Sequence, residues 1–341
     1  MNRDTSIWRM LPRLVVLFML PFILILGGAV ARHLLANRRV PAAAVVAAPA
    51  GPADWMPPEW LPWEEGFALD GMAADGPSTG PVVRSRAVFV YDIDAGEVRY
   101  ARRADERQPV ASLTKLVAGL AFVSADGDLE RKVCIGAEQY PTRSGARSRL
   151  STGDCTTGGD LLGAALTASD NRAAYGLAAA ADMGVDDFIG QMNRVAEQLG
   201  MVNSTFADPS GLEDDNLSTA RDMARATVAV AAVPALSNAA TAPSWMLSRS
   251  TTGPRQLFST NRLIASKDLE FLAAKTGYTD TAQYCFSAVV RTSEGQRLVM
   301  TFLGARGKRT RWADARRVLD WVEQDNRRRA VLETETTGRL R

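Results

Sequence analysis

Pro109-Val110-Ala111-Ser112-Leu113-Thr114-Lys115-Leu116 sets a serine and a lysine three residues apart at the head of an apolar pattern. Leu113, Leu116, Val117 and Leu120 follow the i, i+3, i+4, i+7 spacing of a helix, so Ser112 and Lys115 share one face within reach of each other. A serine that opens such a helix lies near the positive end of its macrodipole, which favours an alkoxide. Two further motifs follow in order: Ser169-Asp170-Asn171, about 57 residues beyond Ser112, and Lys275-Thr276-Gly277, about 106 residues beyond Ser169. Each motif alone is common by chance. Their order is not, and the intervals leave room for structure that lets one domain bring all three together.

The chain holds one histidine, His33, at the edge of an apolar stretch. A Ser-His-Asp triad is thereby excluded, and a serine nucleophile needs another base. Lys115 is the candidate. Lysine is a poor base at its ordinary pKa of about 10.4, but burial and a second cation nearby free its lone pair. Lys275 can be that cation and can also attract an anionic substrate. Ser169 and Asn171 stand in a short polar loop between helical patterns. There a hydroxyl can relay a proton between Lys115 and a leaving amine, and a carboxamide can hold a substrate amide or orient Lys115. In Lys275-Thr276-Gly277-Tyr278-Thr279 the glycine lets a substrate backbone approach a strand edge, and Thr276 and Thr279 offer hydroxyls to a terminal carboxylate. The backbone N–H groups of Ser112 and Tyr278 are candidates for an oxyanion hole.

Composition narrows the function class. Hydrophobic residues make up 46% and charged residues 23%, as in an ordinary globular protein, and 40 basic residues against 38 acidic leave a net charge of +2. That balance offers nothing to nucleic acid, and the run Arg327-Arg328-Arg329 reads as solvated. One histidine and three scattered cysteines give no zinc spacing, so no metal or other cofactor is expected.

Arg3, Arg9 and Arg13 precede an uncharged apolar run over residues 14–31. The run is expected to anchor the chain in a membrane, with residues 1–13 cytoplasmic and the remainder exported to the cell envelope. The alternative is a signal segment cleaved after Ala29-Val30-Ala31. Residues 32–84 read as a Pro/Ala-rich linker in which Trp55, Trp60 and Trp63 are expected to pack on the folded domain. That domain is expected over residues 85–324. Strands are expected at 87–91, 97–101, 284–290 and 297–303, and helices at 160–167, 172–181, 185–199, 220–233 and 311–324. This order implies a sheet assembled from both ends of the domain around a helical middle, an α+β arrangement. Thr219 with Asp222 reads as a capping-box variant. The charged residues 325–341 are expected to be disordered. In an oxidising compartment Cys134 and Cys155 are expected to pair, with Cys285 free and buried.

The ordered trio is the signature of active-site serine enzymes that bind penicillin. From about Ser85 to Val322 the chain resembles the low-molecular-mass penicillin-binding proteins of the D-alanyl-D-alanine carboxypeptidase and endopeptidase family. The likeness extends to Ser148-Arg149-Leu150 with Gly153-Asp154, to Asp208-Pro209-Ser210-Gly211-Leu212, to Ser218-Thr219-Ala220-Arg221-Asp222, and to Cys285 after the third motif. The resemblance implies a serine β-lactamase-like fold: a five-stranded antiparallel sheet with flanking helices and a helical subdomain. It implies that peptidoglycan stem peptides acylate Ser112, that the acyl-enzyme is hydrolysed, and that β-lactams trap Ser112. The tryptophan-bearing linker is atypical of the family. No C-terminal β-domain with an amphipathic anchor is evident, so membrane attachment is expected at the N-terminal side. A class A β-lactamase is a weaker reading, because the nearest glutamate after the second motif that could activate a deacylating water is Glu197, which lies within an amphipathic helix with no matching Glu-x-x-x-Asn pattern. A catalytically inactive peptidoglycan-binding protein is the other alternative.

Overall fold

Ala87-Val88-Phe89-Val90-Tyr91-Asp92 is buried at every position, so its alternating side chains need apolar partners on both faces of a sheet. The computed structural model describes residues 80–136 and 148–338, with side chains to residue 332. The apolar run 14–31, the Ala29-Val30-Ala31 site and the tryptophan segment lie outside the described residues.

Along the chain, β1 (Ala87–Asp92) and β2 (Glu97–Arg102) form the expected hairpin, followed by the short β3 (Gln108–Pro109). A 3-10 turn, Ala111–Leu113, leads into α1 (Thr114–Ser124). The middle holds β4 (Lys132–Cys134), β5 (Cys155–Thr157), α2 (Gly158–Thr167), α3 (Asn171–Ala180) and α4 (Val185–Gln198). After β6 (Leu217–Ser218) come α5 (Ala220–Ala232) and α6 (Pro234–Thr241). The chain then forms the hairpin β7 (Ser244–Leu247) with β8 (Arg255–Phe258), the strands β9 (Glu270–Thr279), β10 (Gln283–Arg291) and β11 (Arg297–Ala305), and α7 (Thr310–Gly338). Five strands form one antiparallel sheet in the order β2-β1-β11-β10-β9, so the two ends of the domain meet where β1 pairs with β11.

The sheet divides two apolar cores. Phe89, Tyr91, Val289, Val299 and Leu303 pack toward the helical middle, where α1 contributes Leu113, Leu116, Val117 and Leu120 through the preceding turn and its own first turns. Val88, Val90, Phe286, Met300 and Phe302 pack on Trp312, Ala315, Val318 and Val322 of α7. Caps are local: Thr157, Asp170 and Thr219 accept the backbone N–H groups of Asp160, Ala173 and Asp222 at the starts of α2, α3 and α5. The capping box at Thr219 is half-made, since Asp222 turns its carboxylate to Asn203 N–H and Ser204 Oγ–H instead.

Three boundaries differ from the sequence reading. Packing begins before residue 85: Val83 is buried, and Arg84 and Ser85 donate backbone N–H groups to Asp314. The third motif lies inside β9 rather than ahead of a strand, because burial against β10 outweighs the weak strand preference of Ala-Ala-Lys-Thr-Gly. The charged residues after 324 continue α7 to Gly338 rather than forming a disordered tail. Two of these charges reach β2: Asp325 accepts from Arg99 at 2.7 Å, and Arg329 pairs with Glu97 at 2.7 Å.

Cys134 and Cys155 stand opposite each other in the β4–β5 pair and are bonded, while Cys285 is buried and free, its thiol pushed by burial to about 11. The bond closes a loop of about 20 residues. Replacing both cysteines with serine is expected to lower stability by about 3 kcal/mol, read as a lower midpoint in urea. An unchanged midpoint would show that the loop is held by its hydrogen bonds alone.

Candidate active site

The nucleophile turn is seated between β9 and the turn at residues 208–212. Ala111 has a positive φ of 50°, an unfavourable conformation for a residue with a side chain, and it tips Ser112 out of the helix that follows. Gly277 abuts this turn: a Cβ there would lie 2.9 Å from Val110 O and 3.1 Å from Ser112 N. A side chain at position 277 would therefore displace the serine from the strand edge. Because β9 ends the sheet, one row of its backbone groups is left unspent within it.

Lys115 is fully buried one turn into the helix. Its Nζ lies 3.0 Å from Ser112 Oγ and donates to Asn171 Oδ1 at 2.8 Å and to Ser210 O at 2.6 Å. Burial pushes its pKa down to about 8, against Asp208 and Asp170, which raise it. A neutral amine is thus accessible near neutral pH, with its lone pair beside the serine. Lys275 is also buried. Burial, with repulsion from Lys115 and Arg311, holds it well below the ordinary lysine value. The sequence reading made Lys275 the cation that lowers Lys115; the repulsion falls instead on Lys275, and the lowering of Lys115 comes from burial.

The second motif brings two of its residues inward. Asn171 meets Lys115, but Ser169 Oγ accepts from Lys275 Nζ at 2.8 Å, so the hydroxyl expected to serve Lys115 is bonded to the other lysine. The reason is local geometry: Ser169 sits at φ +60°, which turns it toward β9 while Asn171 opens α3. Asp170 is buried on the scaffold side, accepting Ser148 Oγ–H and Arg149 N–H at 2.6 Å each. That contact explains why the Ser148-Arg149-Leu150 segment accompanies the motif.

In the third motif, the Thr276 hydroxyl donates to Thr260 Oγ1 at 2.7 Å, joining β9 to the end of the β7–β8 hairpin. Tyr278 is about half exposed, packed at a tilt against Tyr284 with ring centroids 4.3 Å apart, and donates to Asp280. The Thr279 hydroxyl accepts Ala282 N–H in the β9–β10 turn, which leaves its own O–H to donate.

Three contributors escaped the sequence reading as site residues. Arg311 of α7 donates to Gly277 O at 2.8 Å and Cys285 O at 2.9 Å, clamping the motif to its neighbour strand. Thr260 carries no local signal. Ser210 was visible only within a resembling segment, because it acts through its backbone carbonyl. Among the described residues no cluster of His, Cys, Asp and Glu could hold a metal ion.

Residues 74–307, well over half the chain, match the D-alanyl-D-alanine carboxypeptidase family of S11 peptidases. The chain belongs to that family. It is similar to a D-alanyl-D-alanine endopeptidase of Escherichia coli, 32% identical over 74% of this chain and 81% of that protein. It is also similar to a D-alanyl-D-alanine endopeptidase of Pseudomonas aeruginosa, 35% identical over 70% of this chain and 77% of that protein. A solved D-alanyl-D-alanine carboxypeptidase of Mycobacterium tuberculosis superposes with a TM-score of 0.67 at 26% identity, over 74% of this chain and 96% of that one. The family member described here is a serine-type D-Ala-D-Ala peptidase, a hydrolase with the penicillin-binding-protein fold. The family match takes in all three motifs, while β11 is its last strand and α7 lies beyond it.

Proposed function

We propose that Ser112 attacks the carbonyl of a D-alanyl-D-alanine bond, or of the D-alanyl crosslink in peptidoglycan, and carries the stem peptide as an acyl ester. The observation that supports this most is the 3.0 Å contact between Lys115 Nζ and Ser112 Oγ in a site where burial favours the neutral amine. Lys115 takes the Ser112 proton as the C–O bond forms. The oxyanion is received by the backbone N–H groups of Ser112 and Tyr278, the two segments held together at Gly277. As the C–N bond breaks, the leaving nitrogen takes the proton that Lys115 drew from Ser112, relayed by the Ser169 hydroxyl and its 2.8 Å partner Lys275, so that Lys115 is neutral again in the acyl-enzyme. Lys275 and Thr276 receive the terminal carboxylate. Water then attacks the ester carbonyl, Lys115 takes its proton, and as the bond from the acyl carbon to Ser112 Oγ breaks Lys115 returns that proton to the serine. A β-lactam acylates Ser112 by the same route, but its amine stays tethered and the ester persists.

The exported domain and its N-terminal anchor belong to the same proposal. The apolar run 14–31 supports it, and so does a disulfide that an oxidising compartment would preserve. Cleavage after Ala29-Val30-Ala31 would release the domain without changing its chemistry. Glu197 is exposed on the last turn of α4 and shares no bond with the site, which speaks against a class A β-lactamase.

The two endopeptidase relatives favour the crosslink over the free terminus as substrate. Incubation with a pentapeptide stem and with crosslinked muropeptides, followed by mass separation of products, tests this. Cleavage of the crosslink is expected. Cleavage of the pentapeptide alone would make the chain a carboxypeptidase, and cleavage of neither beside an active control would overturn the hydrolase reading.

A further inference from the structure

Asp208 is buried and touches neither Ser112 nor Lys115 directly, yet it organises a turn that meets both. Its Oδ1 accepts Ser210 N–H at 3.1 Å, Gly211 N–H at 2.5 Å and Asn216 Nδ2–H at 2.8 Å. Its Oδ2 accepts Ser210 Oγ–H at 2.8 Å, Leu212 N–H at 3.3 Å and Tyr175 O–H at 3.2 Å. Asn216 returns the contact by accepting the N–H groups of Ala207 and Asp208. Six donors on one buried carboxylate are far more than a surface turn needs, and they fix Ser210 and Gly211 in a single orientation.

That orientation serves the nucleophile segment twice. The Ser210 carbonyl points at Lys115 Nζ, 2.6 Å away. Gly211, at φ +79°, lies so close beneath Ala111 that a Cβ would stand 2.0 Å from Ala111 O. The turn is therefore the seat on which the strained Ala111 and Ser112 rest, as well as a ligand of the lysine.

We propose that Asp208 is a positioning residue of this site, holding the Ser210-Gly211 turn against Ser112 and Lys115 and keeping a negative charge behind the lysine. The proposal rests on Lys115 being the base. The groups that face Lys115 are Ser112 on its own turn, Asn171 and Asp170 at the start of α3, Ser210 and Asp208 on the turn, and Lys275 on β9 with Arg311 behind it. Asp208 and Asp170 are the negative charges in this set, and Asp208 is the one whose carboxylate is hydrogen-bonded to a partner of Lys115, Ser210. Burial drives the lysine toward its neutral form, and Asp208 opposes that drive. It thereby sets how much of the base is available at a given pH.

The chain has only five lysines (Lys115, Lys132, Lys267, Lys275 and Lys308), so each is resolvable by NMR of the full chain carrying 13C-labelled lysine. Lys115 is assigned by the signal lost in Lys115→Arg. Removing a negative neighbour destabilises the ammonium, so Asp208→Asn is expected to lower the Lys115 titration midpoint by about one pH unit. The acidic limb of acylation by a fluorescent penicillin should move to lower pH with it. Tyr175→Phe, which keeps the carboxylate, should leave the midpoint where the wild type has it. An Asp208→Asn midpoint equal to the wild type's, with only a lower melting temperature, would overturn the proposal and leave Asp208 a stabiliser of the turn. If the wild type is not acylated, the Ser112 reading fails, while the lysine titration still decides the part played by Asp208.

Discussion

Ser112→Ala is expected to abolish covalent labelling by penicillin and to lower D-Ala-D-Ala peptidase turnover by about 10⁴-fold or more, while the thermal unfolding midpoint stays close to the wild type's. The substitution removes the attacking oxygen and almost nothing else. Ser112 is half-buried on a 3-10 turn, its hydroxyl meets Lys115, and Lys115 retains Asn171 and Ser210 as partners when that hydroxyl is gone. Labelling is read on a gel with a fluorescent penicillin and stability by a thermal melt. Labelling that persists in the variant would mean that another side chain is the nucleophile.

Lys115→Ala is expected to slow acylation by about 10³- to 10⁴-fold across the working pH range. The sign of the pH dependence separates its role from mere packing. The base is the neutral amine, so the wild-type acylation rate should rise as pH rises through the Lys115 pKa of about 8 and should fall below it. In the variant that limb should vanish, and raising the pH should not restore the rate. The alanine also leaves Asn171 Oδ1 and Ser210 O without their shared donor, which costs about 1–3 kcal/mol for each group left unpaired. A lower melting temperature is therefore expected too, and the labelling rate is measured well below it. Recovery of the wild-type rate simply by raising the pH would argue that hydroxide, and not Lys115, deprotonates the serine.

The parts of the fold that were legible in the sequence are those whose side chains alternate between two apolar environments or repeat with helical spacing. The strands β1, β10 and β11 carry buried β-branched and aromatic runs because α7 covers one face and the helical middle covers the other. β9 was hidden because its site residues replace the usual strand formers: Lys275 is buried as a functional group and Gly277 is small to admit the Ser112 turn. The far half of α7 was hidden for the opposite reason. Its arginines and aspartate look like a solvated tail until β2 supplies Glu97 and Arg99 as partners. At the site, the Ser112–Lys115 pair follows from three-residue spacing on a helical turn. The assignment of Ser169 to Lys275 depends on a left-handed backbone at a non-glycine residue, which no local pattern announces. Ser210 contributes a carbonyl, an atom every residue has, so only the fold could reveal it.

Acylation of Ser112 by the substrate itself is best tested by quenching the reaction with a D-alanyl-D-alanine stem peptide in the steady state and mapping the trapped ester by mass spectrometry. The expected result is one stem-peptide adduct, on the peptide that carries Ser112, absent from Ser112→Ala. Turnover of the substrate with the adduct on another residue, or with no adduct trapped under conditions that trap it in an active relative, would contradict it.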